Sequence, residues 1–519
     1  MAFGYKLKSK GVSMISKITS YALLGLEGIP VEVEADISRG MPKFDIVGLP
    51  DTAVKESKER VRTAIKNSGK NFPVAQITVN LAPADIKKEG SKLDLAIAVA
   101  IVRVGEEGLT RDVTDTVFLG ELALDGEIRS VTGILPIALS AKQNGYKRMI
   151  IPYANKTEAA HVHGIEIIAV KTLSQVINYL KGEEINAAIP IEFTPAREAD
   201  FKNDLKYVKG QCIARRALEI AVSGNHNILL VGAPGAGKTM LAKCIPSIMP
   251  DMTFKEALET TAVHSVTGTL SSADGIIKVR PFMTPHHTAT RIALVGGGPN
   301  VTPGLISMAN NGVLFLDEMP EYMRTVLECL RQPLEDGVIT VSRAKGSVTY
   351  PAKFMLCASM NPCPCGNYGS ETLECKCSDT QIRKYKAKIS GPLLDRIDLQ
   401  IQVDSVKYDD LVSTELEESS QVVRARVNKA RQIQLERFKE DGITTNAEMG
   451  ERELNKYCKL SLENEKLFKR SFEALHLSAR GRSRILKVAR TIADLDYSET
   501  IEKKHLLEAI GYRSFDINQ

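Results

Sequence analysis

The sequence predicts a multidomain α/β protein that ends in an all-helical region. Three observations lead there. The chain has 519 residues, a length that suggests about three domains. Up to about residue 405, short apolar and β-branched runs alternate with segments of helical period, the mixed pattern of α/β folds. From about residue 406 onward every periodic segment is helical.

Bulk composition bounds the function without choosing it. Hydrophobic residues make up 43% and charged residues 25%, ordinary values for a soluble globular protein. Aromatic residues are 5% and Trp is absent, so no broad platform for stacking bases is expected. Lys and Arg number 68 against 63 Asp and Glu, a net +5, so any basic surface must be local. No apolar run reaches the roughly eighteen residues of a membrane span. The opening MAFGYKLKSKGVSM lacks the apolar core of a signal peptide. Residues 1–13 are therefore read as a disordered extension, with Met14 as an alternative start, and the expected location is the cytoplasm, where cysteines stay reduced.

Residues 14–181 form the first expected domain. VEVEADI (31–37) and FDIVGL (44–49) read as strands, and 52–67 as a helix with Val54, Val61 and Ile65 on its apolar side. QITVNLA (76–82) is a strand, LDLAIAVAIVRVG (93–105) a buried helix, and 149–154 and 165–170 are strands again. The stretch 182–200, with two prolines among polar residues, reads as a linker. Residues 201–405 make a second α/β domain and 406–519 a helical one, opened by a long helix over 420–440.

The chemistry lies in the second domain. The strand ending at Val231 runs into Gly232-Ala233-Pro234-Gly235-Ala236-Gly237-Lys238-Thr239 and then into a helix. This is G-x-x-x-x-G-K-T in its strand–loop–helix context. Its backbone N–H groups can close around phosphate oxygens at a helix N-terminus. Lys238 is expected to reach the β- and γ-phosphates of ATP, and Thr239 to ligate Mg²⁺. Downstream, the apolar strand GVLFL ends in Asp317-Glu318. Asp317 is expected to serve the Mg²⁺ shell and Glu318 to act as general base on the attacking water. Asn361 follows the strand KFMLCASM (353–360), where it can orient that water or simply cap the strand. Arg396 and Arg480 are candidates for stabilising charge on the γ-phosphate.

Together these residues resemble an AAA+ ATPase of the magnesium-chelatase-like branch. RPFMTPHHTATRIALVGGG (280–298), PGLISMANNGVLFLDEMPE (303–321) and SRAKGSVTYPAKFMLCASMNPCPCG (342–366) carry that likeness. VEVEADISRGMPKFDIVGLPDTAVKESKERVR (31–62) matches the YifB/ComM competence-protein type. The resemblance implies a ring, expected to be hexameric, with ATP between subunits. Arg396 matches the family's arginine finger acting in trans, Arg480 its sensor-two arginine, and Asn361 its first sensor. Residues 262–300 look like the helix-two insertion and 338–352 like the β-hairpin, which makes Arg343 and Lys345 either DNA contacts or residues of a solvated or subunit-facing tip.

The first domain resembles the Lon-protease C-terminal fold (a ribosomal S5 domain 2-like α/β arrangement), whose enzymes use a Ser–Lys dyad. Lys92 stands where the nucleophile belongs, with Ser91 beside it, and the turn Val131-Thr-Gly-Ile-Leu-Pro136 holds no lysine. A serine without its base has no activation route. The domain is therefore expected to be a non-proteolytic scaffold or a DNA- or partner-binding module.

Four of the nine cysteines, Cys363, Cys365, Cys375 and Cys377, form two C-x-C pairs directly after Asn361. They could place four thiolates around a structural Zn²⁺; metal-free thiols and a redox pair are the alternatives. The other five, Cys212, Cys244, Cys329, Cys357 and Cys458, are expected to be small buried hydrophobes. The basic run QIRKYKAK (381–388) next to the cluster is either a DNA-phosphate contact or a solvated helix. The function expected is an ATP-driven ring motor on single-stranded or branched DNA, catalysing branch migration as incoming DNA is integrated during natural transformation. The alternative is a chelatase-type motor that remodels a protein partner for Mg²⁺ insertion into a porphyrin.

Overall fold

The computed structural model describes residues 15–106, 108–196, 201–271, 275–298, 301–343, 346–369, 373–406, 416–475 and 477–513. The extension expected over 1–13, linker residues 197–200, Lys345 and the side chain of Arg343 lie outside the described residues. Two compact units emerge, Met1–Phe193 with Thr261–Ile277, and Thr194–Thr260 with Lys278–Gln519. Thr261–Ile277, which the sequence reading places in the ATPase domain, thus belongs to the first unit.

The first unit is built on a seven-stranded mixed sheet. Strand β1 (Ile15–Leu24) and β2 (Glu27–Ser38) form a long antiparallel hairpin, Ile15 opposite Asp36 and Leu24 opposite Glu27. With β3 (Lys43–Val47), β4 (Gln76–Ala82), β5 (Thr116–Phe118), β6 (Arg148–Pro152) and β7 (Glu166–Val170), the order is β3-β4-β2-β1-β5-β6-β7. Helix α1 (Thr52–Asn67) starts where Asp51 accepts the Val54 N–H at 2.8 Å, an N-cap that satisfies one orphan donor. Helix α2 (Asp94–Gly105) is apolar on all sides because it runs through the core, and every residue from Asp94 to Val102 is buried. Each buried Leu, Ile or Val among them contributes about 1.5–3 kcal/mol on leaving water.

Helix α3 (Ile134–Gln143) follows Gly133, and the Glu158 carboxylate accepts the Leu135 N–H at 2.9 Å. The same carboxylate accepts the Ser265 hydroxyl, and Ser265 O accepts the Gly133 N–H at 3.1 Å. That pairing ties Thr261–Ile277 into the unit.

The second unit carries a five-stranded sheet. Its strands are β8 (Ile228–Val231), β9 (Phe282–Met283), β10 (Val313–Leu316), β11 (Met355–Met360) and β12 (Leu399–Gln402). The order is β9-β10-β11-β8-β12 and each neighbouring pair is parallel. Loops leaving the C-terminal strand ends of such a sheet form its ligand crevice. Helix α4 (Lys238–Ile248) follows β8, and α5 (Asp379–Lys386) follows the cysteine cluster through a capping box at Ser378. Val338–Arg343 and Gly346–Pro351 pair as a separate antiparallel hairpin.

Helices α6 (Ser420–Arg437), α7 (Glu451–Tyr457), α8 (Leu462–Ala474), α9 (Ala479–Leu495) and α10 (Lys503–Gly511) complete this unit. At their centre the buried Asp494 accepts from Arg437 Nη1 at 2.8 Å, Asn446 Nδ2 at 2.8 Å and Arg490 Nε at 3.1 Å. Burial without such partners would expel the charge. Among the described residues no helix is long and apolar enough to cross a membrane.

Cysteine placement corrects one expectation. Cys244, Cys357 and Cys458 are buried, but Cys212 is exposed and Cys329 only partly covered. Cys212 is the first residue of the helix Cys212–Gly224, a position that faces solvent before the apolar stripe begins.

Candidate nucleotide site and cysteine cluster

The phosphate loop joins β8 to α4. Gly237 sits at the helix N-cap with φ 90°, a left-handed backbone that a side chain would strain. Lys238 Nζ donates to Gly232 O at 2.7 Å, Ala233 O at 2.9 Å and Asn361 Oδ1 at 3.0 Å. Burial lowers its pKa, while the nearby Asp317 and Glu318 carboxylates favour its charge. Three of the residues singled out in sequence thus converge on one ammonium group.

The metal-facing pair is also assembled. Thr239 Oγ1 donates to Asp317 Oδ2 at 2.9 Å, so two hard oxygen donors of the kind Mg²⁺ prefers lie side by side. Ser359, near the end of β11, donates its hydroxyl to Asp317 Oδ1 and accepts the Glu318 N–H at 3.1 Å. Ser359 is fully buried and fixes both members of the acidic pair, a role the sequence reading missed. Its only signal there is a small hydroxyl in an otherwise apolar strand. Glu318 itself takes φ 52°, unusual for a residue with a side chain and typical of strained functional positions. The Tyr322 hydroxyl donates to Pro285 O at 2.6 Å; burial, with Asp317 adding to it, pushes its pKa up to about 12.

Arg396 and Arg480 are not part of this constellation. Asn227, just before β8, donates through Nδ2 to Arg396 O at 2.8 Å, which puts Arg396 at the opposite end of the strand from the phosphate loop. Four residues at about 3.3 Å each separate those ends by roughly 13 Å. Arg396 Nη1 donates to Pro392 O at 2.7 Å and Nη2 to the Glu335 carboxylate. Arg480, exposed at the start of α9, and Arg396 line one cavity of about 700 Å³. Its wall also holds Asp398, where burial opposes the charge but Arg484 and His226 keep the carboxyl well below the usual range.

The four clustered cysteines do converge. Their Sγ atoms all lie within 4.8 Å of one another. Cys363 to Cys365 is 3.4 Å, Cys363 to Cys375 is 3.7 Å and Cys365 to Cys375 is 3.6 Å. A tetrahedron with Zn–S of about 2.3 Å has edges of roughly 3.8 Å, whereas a disulfide needs about 2.05 Å. The donor set therefore fits a thiophilic tetrahedral ion and not a pair of disulfides. Backbone N–H groups of Asn367 and Lys376 lower the Cys365 thiol, whereas the crowding of neighbouring sulfurs pushes the Cys375 and Cys377 thiols up.

Comparison with known proteins places the chain. Family models match at 204–411 (Magnesium chelatase, subunit ChlI), 33–155 (Subunit ChlI of Mg-chelatase) and 417–513 (Magnesium chelatase, subunit ChlI C-terminal). The competence protein ComM of Haemophilus influenzae is 42% identical over 502 residues, 96% of this chain and 97% of that protein. The YifB protein of Escherichia coli is 41% identical over 507 residues, 97% of each chain. This chain belongs to the magnesium-chelatase-like YifB/ComM family. For a YifB/ComM-family chain, the assembled phosphate loop and acidic pair agree with an AAA+-type ATPase.

This YifB/ComM-family chain is also similar in part to a protease. Lon protease 2 of Bacillus subtilis is 33% identical over 126 residues, 24% of this chain and 22% of that one. In this unit Lys92 is pushed down to about 8 by burial, and the Ser91 hydroxyl donates to the Glu121 carboxylate. The turn 131–136 holds no lysine, and within it the Leu135 N–H donates to the Glu158 carboxylate at 2.9 Å.

Proposed function

We propose that the protein is an ATP-hydrolysing ring motor that acts on single-stranded or branched DNA, moving branch points as incoming DNA is integrated. The observation that carries the ATPase part is that, beyond one end of the sheet, Lys238 bonds Asn361 and Thr239 bonds Asp317. The DNA part is supported by the 42% identity, over nearly the whole of both chains, to a protein named for competence.

In this reading Lys238 binds the β- and γ-phosphates, and Thr239 with Asp317 holds Mg²⁺, which when bound neutralises phosphate charge. Ser359 keeps Asp317 and Glu318 in place. Glu318 accepts the proton of the attacking water, and Asn361 orients that water. Arg396 and Arg480, remote from their own chain's phosphate loop, serve the γ-phosphate held by a neighbouring copy in a homo-oligomeric, hexameric ring. Cys363, Cys365, Cys375 and Cys377 hold a structural Zn²⁺ that folds the loop after Asn361. The protein works in the cytoplasm.

A second reading is a chelatase-type motor that remodels a partner for Mg²⁺ insertion into a porphyrin; the three magnesium-chelatase family matches favour it. ATP hydrolysis by the purified protein, with and without single-stranded and forked DNA and beside Glu318→Gln, separates the two. Stimulation by DNA that disappears in Glu318→Gln supports the DNA motor. Hydrolysis indifferent to every DNA sinks it and leaves the protein-remodelling motor.

A further inference from the structure

The cysteine element touches the nucleotide machinery at two points. Gly366 lies between the two C-x-C pairs with φ 83°, and a Cβ built there would come within 2.4 Å of Pro234 Cδ and 2.7 Å of Pro234 Cγ. Pro234 is inside the phosphate loop, so the backbone of the cysteine loop rests directly on it with no space for a side chain. The second point is Asn361, two residues before Cys363, whose Oδ1 accepts from Lys238 Nζ at 3.0 Å.

The local fold of the element centres on its sulfurs. Gly366 N donates to Cys363 O at 3.0 Å, closing a turn over Cys363-Pro-Cys-Gly. Tyr368 N donates to Cys363 Sγ at 3.3 Å, the kind of N–H to sulfur bond that steadies a ligating thiolate. Cys363 is fully buried, while Cys365 is exposed. Residues 373–377 carry no helix or strand that would hold Cys375 and Cys377 in position. Thiolates at these separations repel one another, and a shared cation both cancels that repulsion and closes the loop.

We propose that this element is a metal-dependent brace of the phosphate loop. One Zn²⁺ held by Cys363, Cys365, Cys375 and Cys377 keeps Gly366 against Pro234 and Asn361 on Lys238. Metal occupancy therefore sets how tightly the chain binds adenine nucleotide, before any hydrolysis. The inference rests on the nucleotide-site reading above and adds a metal control to it.

The test uses the full chain and two readouts that need no turnover: zinc per chain by elemental analysis, and the Kd of a fluorescent ADP analogue with Mg²⁺ present throughout. The purified chain is expected to hold one zinc. Stripping it with a thiol-competing chelator is expected to weaken nucleotide binding at least 10-fold, with recovery on adding Zn²⁺ back. Gly366→Ala is expected to keep its zinc yet bind nucleotide about as weakly, because the added methyl pushes the loop off Pro234. Cys375→Ser is expected to lose the zinc; should it fail to fold, Gly366→Ala and the stripped wild type still decide. Unchanged affinity in both of those, or no stoichiometric zinc after reconstitution, overturns the brace. A wild-type chain that holds zinc but binds no nucleotide overturns instead the nucleotide-site reading beneath it.

Discussion

Arg396 donates to the Glu335 carboxylate at the strand end opposite the one that carries Lys238. A guanidinium at that end is remote from its own phosphate loop, which fits the proposed role toward a neighbouring copy. Arg396→Ala is therefore expected to bind nucleotide within about 2-fold of wild type yet hydrolyse it about 10³-fold more slowly, the range for a lost arginine finger. Mixing it with Glu318→Gln, itself inactive, is expected to restore hydrolysis, because some interfaces then pair an intact Glu318 with an intact Arg396. No recovery on mixing, with both variants assembled, would remove Arg396 from the trans role.

Ser359 bridges Asp317 and the Glu318 backbone. Ser359→Ala is expected to leave the fold intact at a cost of about 1–2 kcal/mol, the value of a buried hydrogen bond. Hydrolysis is expected to fall about 10–100-fold, and the Mg²⁺ concentration for half-maximal rate to rise. Rates and Mg²⁺ dependence equal to wild type would show that Asp317 needs no such support.

Asp94 offers a pH signature for the first unit. Burial raises its carboxyl to about 6, against the opposing hydrogen bonds from Arg60, whose Nε lies 2.8 Å away. The folded state then holds a proton that the unfolded chain, with a carboxyl near 3.9, has released. Stability of this unit is expected to fall by about 2–3 kcal/mol as pH rises from about 4 to about 6, and to level off above. Thermal unfolding across that window should show the fall in wild type and a flatter profile in Asp94→Asn. Parallel profiles would refute the assignment.

Asp494 gathers Arg437, Arg490 and Asn446 where the C-terminal helices meet. Asp494→Ala leaves two guanidinium groups without their shared carboxylate and is expected to cost about 3–5 kcal/mol. Urea unfolding followed in the second unit checks this; a loss under about 1 kcal/mol would mean the helices are held by apolar packing alone.

How much of this was legible in sequence follows from how local each constraint is. The phosphate loop, Asp317-Glu318 and Asn361 each follow a short apolar strand, and that signal lies within a few residues. Helix Thr52–Asn67 and strand Gln76–Ala82 were readable with their ends because period and caps are also local. Ser359 was not, since one hydroxyl in a buried strand breaks no pattern until Asp317 is seen beside it. Strand Ile15–Leu24 went unread because its value lies in pairing with Glu27–Ser38 across a turn. The placement of Thr261–Ile277 was beyond reach, because the Ser265–Glu158 bond joins residues 107 positions apart.

That last pairing has a practical corollary for anyone dividing the protein into pieces. A fragment cut after Phe193 omits the Ser265 donor to Glu158, a carboxyl that burial has already made reluctant to ionise. The complementary fragment would carry Thr261–Ile277 without the unit it belongs to, with the buried Ala262, Val263 and Ile276 bared. A single cut at Phe193 therefore separates residues that belong to one unit. An excisable front module requires grafting the 261–277 stretch onto it through a short artificial tether.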